Sequence, residues 1–101
     1  MELDGGVKDQ RIAFYRIADE VLHYVWDPIG VAGMPPARDE YQMYLPRVFA
    51  LLESGANVEQ LSAHLQSIAA DRMGLTDTAH KATEAAEVLV DWRDYFSESH
   101  A

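Results

Sequence analysis

Asp27 followed by Pro28 is the feature that most limits how this chain can fold. A proline ring carries no N–H and disfavours the helical region for the residue before it, so a helix that runs into this dipeptide ends there. Ahead of it, apolar residues recur at helical spacing from Lys8 to Trp26. Phe14, Ile17, Val21 and Val25 make one stripe, widened by Tyr15, Ala18 and Leu22. The spacing predicts a long, mostly buried first helix. Beyond it, Pro28, Gly30, Gly33, Pro35 and Pro36 are interleaved with Ile29, Val31, Ala32 and Met34. That is too apolar for a solvated linker and reads as a stiff loop packed on a core.

The rest of the chain is helical in pattern. Asp39 is placed to cap a second helix, with Glu40 in its first turn where the helix dipole favours an anion. Tyr41, Tyr44, Leu45, Val48, Leu51 and Leu52 would face inward, and Pro46 inside that stripe predicts a kink or a restart. Gly55 suits a left-handed helix end, and Asn57 with Gln60 three residues on reads as a capping box opening a third helix. Val58, Leu61, Leu65 and Ile68 mark its buried face, and Gly74 stops it, with Leu75 folding back over its end. A fourth helix is expected from Thr76 or Asp77, where Ala82, Ala85, Ala86, Leu89 and Phe96 form a stripe narrow enough for close approach of another helix. No repeat, low-complexity tract or alternating strand pattern occurs. The expected architecture is all-α, a single-domain four-helix bundle or orthogonal array over residues 8–96, between a flexible N-terminus at 1–7 and a flexible tail at 97–101.

Composition narrows the function classes. The 101 residues suit one domain with one modest core. No cysteine is present, which removes disulfides, thiolate catalysis and Cys-based zinc sites. Seventeen acidic residues against eight scattered basic ones give a formal net charge of -9. Nucleic acid needs a basic surface to offset its phosphates and is not an expected partner, whereas a basic protein is. Neither a signal peptide nor a run of the roughly 20 apolar residues needed to cross a bilayer is evident, so no membrane partner and a cytoplasmic location are expected.

Candidate chemistry is sparse. Asp19, Glu20, His23, Asp27, Asp39 and Glu40 are the best group for a metal or acid/base site, since Asp19, His23 and Asp27 share one helix face. The chain has no His-Glu-x-x-His pair and no calcium-loop pattern, so a solvated face is the stronger reading. His80 with Glu84, and His64, read as surface residues. No serine lies in a nucleophile elbow, and Gly30-Val31-Ala32-Gly33 follows no strand that would make it a phosphate loop. No catalytic residue, cofactor or metal ligand is assigned, and the chain is read as no enzyme. Trp26, Tyr41, Tyr44, Trp92 and Tyr95 are candidate anchors or core, with exposure expected of Trp92 and Tyr95 near the end of the chain. Arg38 reads as a tether for the loop. The functional signal that remains is acidic: Glu84, Glu87, Asp91, Asp94 and Glu98 step by three or four along one side of the last helix. The partner-binding residues expected are Asp27, Asp39, Glu40, Glu84, Glu87 and Asp91.

Taken in order, Trp26-Asp27-Pro28-Ile29-Gly30, Asp39-Glu40-Tyr41, Tyr44, Leu51-Leu52, the turn at Gly55 and Met73-Gly74-Leu75 resemble a group of uncharacterised short bacterial helical proteins that carry WDPIG, then DEY, then a glycine-turned helix pair, with YugE-like proteins as distant members. The resemblance spans residues 10–92, and Pro46 departs from its pattern. It implies a small four-helix domain with no enzymatic activity or cofactor to carry over, and some proteins of this look are immunity proteins that block a toxin made by the same cell. The leading expectation is a small acidic binding protein, most concretely an immunity protein that occludes a basic toxin domain such as a nuclease. The alternatives are a homodimeric structural or regulatory module and, third, a metal-dependent enzyme built on Asp19, His23 and Asp27.

Overall fold

The computed structural model describes residues 2–98, with side chains from residue 9 onward. Four α-helices follow one another: α1 (Glu2–Val21), α2 (Leu45–Glu53), α3 (Val58–Met73) and α4 (Ala79–Glu98). No strand occurs among the described residues. The all-α four-helix architecture expected from the periodicity is the observed one.

The helix boundaries depart from expectation in four places. α1 begins at Glu2 rather than at Lys8, so the backbone of residues 2–7 is helical. Gly5 and Gly6 lower helix propensity without forbidding it. At the other end of the chain α4 reaches Glu98, which takes in part of the expected tail, and residues 99–101 lie outside the described residues. Asp39 is not a helix cap. It lies in a turn between short 3-10 segments at Pro35–Ala37 and Gln42–Tyr44, and α2 starts only at Leu45. Pro46 therefore neither kinks nor breaks a helix but occupies its first turn, where a missing N–H costs no intrahelical bond.

The caps of α3 form as the sequence predicts. Asn57 Oδ1 accepts the Gln60 N–H at 2.8 Å, and Gln60 Oε1 accepts the Asn57 N–H at 2.9 Å. Gly74 closes the helix at φ +66°, and the Leu75 N–H returns to the Ala69 carbonyl at 2.8 Å. α4 starts later than expected, at Ala79, after Asp77 turns left-handed at φ +61°.

Residues 74–78 fold α4 back along α3, where the Ser62 and Thr83 hydroxyls meet at 3.0 Å. This is the most extensive helix pairing in the fold, and α1 lies on α4 beside it. The alanine stripe makes it possible: Ala82, Ala85 and Ala86 are fully buried, as are Ala18 and Ala69. Trp26, Tyr41, Leu22, Leu52, Leu61, Leu65, Leu89 and Val48 fill the centre. Of the first-helix stripe, Phe14, Ala18, Val21 and Leu22 are buried, Ile17 and Val25 are half-buried, and Tyr15 is exposed. No helix of the described residues is long and apolar enough to cross a membrane.

Candidate functional site

The loop after α1 is organised around one carboxylate. α1 widens into a π turn at Leu22–Trp26, closed by the Asp27 N–H on the Leu22 carbonyl at 3.0 Å. Asp27 then adopts a left-handed conformation at φ +32°, ψ +59°. This reverses the chain, so the backbone amides that follow point back at its own side chain. Oδ1 accepts the N–H of Gly30 at 3.1 Å and of Val31 at 2.7 Å, and Oδ2 accepts the N–H of Ala32 at 3.0 Å. The Tyr41 hydroxyl donates to Oδ1 at 2.8 Å and accepts the Ile29 N–H at 3.0 Å. From α4, Lys81 Nζ donates to the Asp27 carbonyl at 3.1 Å.

Asp27 is only 8% exposed, so this carboxylate is a buried anion with its acceptor capacity filled. Burial by itself raises its pKa. The Tyr41 hydroxyl, the Val31 and Ala32 amides and the Lys81 charge together outweigh that and hold it below its ordinary value of 3.8. The Tyr41 phenol is pushed upward, by burial first and then by donating to the Asp27 carboxylate. Trp26 packs beside it, its ring 5.2 Å from that of Tyr41 and 6.2 Å from that of Tyr44. The loop is a helix junction held by hydrogen bonds to Asp27 and by the half-buried Val31, not the core-packed segment that its composition suggests: Ile29 and Met34 are 46% and 54% exposed.

The expected partner-binding residues divide on this geometry. Asp27 is enclosed by four donors and offers a partner no free oxygen, so it drops out of any contact surface. Asp39, Glu40, Glu84, Glu87 and Asp91 are exposed, and none of them forms an ion pair among the described residues. Trp92 and Tyr95, on the same helix as the last three, are 37% and 57% exposed.

The candidate metal face does not converge. The Asp19 carboxylate is held by both terminal nitrogens of Arg38, at 3.3 and 3.2 Å, and the guanidinium lies 5.5 Å from the centre of the Tyr24 ring. Arg38 does tether the loop, but to α1 rather than to its acidic neighbours. His23 is 2% exposed, with Nδ1 lacking a hydrogen-bond partner. Among the described residues no three His, Asp or Glu side chains come together in a way that could hold a metal ion.

Sequence reasoning missed the hydroxyl of Tyr41, the reach of Lys81 and the role of Arg93. Arg93 appears in the sequence as a stray counter-charge in the acidic stripe. Its Nη1 in fact donates to the carbonyls of Ala56 at 2.6 Å and Leu52 at 3.3 Å, pinning α4 to the end of α2. The helical offset between Arg93 and the Leu89 core position is the only sequence hint of this. The chain matches no protein-family model, no curated protein and no solved structure.

Proposed function

We propose that this chain is a cytoplasmic, non-enzymatic binding protein that blocks a basic protein partner, most concretely an immunity protein acting on a basic toxin domain. The observation that carries this reading is the solvent face of α4. Glu84, Glu87 and Asp91 stand exposed and without cationic partners among the described residues, opposite the buried alanine stripe. Such a row repels itself, and a cationic surface relieves that repulsion while steering fast encounter. Trp92 and Tyr95 add aromatic area at the edge of the row, of the kind that anchors interfaces. The mechanism is occlusion: carboxylates pair with the lysines and arginines through which the partner holds its own substrate.

The test compares affinity capture from native lysate by the unaltered chain and by the triple variant Glu84→Lys, Glu87→Lys, Asp91→Lys. A basic toxin domain encoded beside this chain should be captured by the first and lost by the second, whose helical circular dichroism stays the same. Equal capture by both removes α4 from the interface. The homodimeric alternative draws on the same exposed Trp92 and Tyr95. Sedimentation separates the two, because a stable dimer without any partner favours the module and a monomer favours immunity.

A further inference from the structure

Between α2 and α3 lies a cavity of about 330 Å³, near the low end of ligand-sized cavities, and its chemistry runs against that of the chain. In a protein of net charge -9, Arg47 and Arg72 both open onto it, and neither forms an ion pair among the described residues. His64 is also in the lining, with its Nε2 buried and without a hydrogen-bond partner. Ser67 adds a hydroxyl, and Met43, Tyr44 and Ile68 supply an apolar wall. We propose that this cavity binds a small phosphomonoester, with its phosphate between Arg47 and Arg72 and its organic part against Met43, Tyr44 and Ile68.

Charge selects the ligand. The titratable and charged groups of the lining are Tyr44, Arg47, His64, Asp71 and Arg72, and none comes from α1 or α4. Two guanidiniums against the Asp71 carboxylate leave one positive charge while His64 is neutral, and two once it is protonated. A phosphomonoester dianion matches the second state, and guanidiniums match phosphate oxygens in geometry. Burial, and then the Arg47 charge, keep the His64 imidazole below its ordinary 6.5. A dianion held by Arg47 offsets that charge, so binding draws a proton onto His64. The acidity of the rest of the surface does not prevent this, because at physiological ionic strength its field fades over about 8 Å.

The test is calorimetry and proton NMR on the full chain at pH 7.5, with phenyl phosphate and inorganic phosphate as probes. Phenyl phosphate should saturate one site, about tenfold more tightly than inorganic phosphate because of the ring it buries. It should move the His64 imidazole resonance to its protonated position and leave that of His80 in place. Arg47→Gln with Arg72→Gln should weaken binding at least about tenfold, while Arg16→Gln on α1 should not change it. No saturable binding by either probe, undiminished binding in a folded double variant, or a His64 resonance that does not move overturns the site. Equal affinity for the two probes overturns the ester in favour of free phosphate. The His64 readout needs no variant, so the proposal stands or falls even if the double variant does not fold.

Discussion

The Asp27–Tyr41 hydrogen bond is open to a quantitative test by a double-mutant cycle with Asp27→Ala and Tyr41→Phe. The bond is 2.8 Å long, buried and charge-assisted, a class worth roughly 1.5–3 kcal/mol. Asp27→Ala removes it and also leaves the Val31 and Ala32 amides without their acceptor. Gly30 keeps a second acceptor in the Asp27 carbonyl at 3.2 Å. Water reaches part of this loop, so the summed loss settles at about 3–5 kcal/mol rather than at the full value for each bond. Tyr41→Phe keeps the ring in the core and loses about 2 kcal/mol, from the same bond and from the Ile29 amide. The double variant should be less destabilised than the sum of the two by about 1.5–3 kcal/mol, because the shared bond is counted once. Urea unfolding at pH 7 reads all four corners, with Trp26 as an internal fluorophore beside Tyr41. At an m-value of about 1.5 kcal/mol per molar, Asp27→Ala alone lowers the midpoint by roughly 2–3 M. Single effects that add to within about 0.5 kcal/mol would refute the claim that these two side chains stabilise the fold through one another.

Three further outcomes follow from the same geometry. The Asp27 carboxyl is held below 3.8 in the fold, so its stabilisation is complete above about pH 5 and is lost as the pH falls through 3.8 toward the folded value; urea midpoints of the unaltered chain and Asp27→Asn should therefore differ at pH 7 and draw steadily closer as the pH falls below 3.8. Gly33→Ala should cost roughly 1–2 kcal/mol in thermal melts, since φ is +90° while nothing lies within 4 Å of the added methyl, leaving backbone strain as the whole effect. Arg93→Ala should cost about 2 kcal/mol through the Leu52 and Ala56 carbonyls, whereas Asp94→Asn, which removes only an exposed ion pair, should change stability by less than about 0.5 kcal/mol.

What could be read from the residues was what depends on near neighbours. The apolar stripes of α3 and α4, the Asn57–Gln60 box and the Gly74 stop each act within a turn or two of chain, and each formed. The start of α2 was misplaced because Asp39 makes a good cap in isolation. The burial of Tyr41 under Trp26 instead holds residues 39–44 in turns. Asp27 was recognised as a helix terminator, yet its candidacy for a contact surface rested on a charge assumed to face water. That three backbone amides and a hydroxyl fourteen residues away converge on it is a fact of the folded loop. The cavity of Arg47, His64 and Arg72 escaped notice for the same reason, since α2 and α3 bring together residues that share no spacing.

The π turn at Leu22–Trp26 makes this junction sensitive to chain length more than to side-chain identity. A π turn amounts to one residue inserted into an α-helix. Deleting one of those five residues would therefore return the ladder to a regular α-helix with the positions beyond it near their present register, whereas inserting one more would rotate each of them by about 100°. Asp27 would then leave the helix pointing away from the amides it gathers and from Lys81, and Trp26 would swing out of its place beside Tyr41. Single-residue insertions here should therefore be far less tolerated than substitutions at Val25, which is only half-buried, and added residues among related chains should fall in other segments.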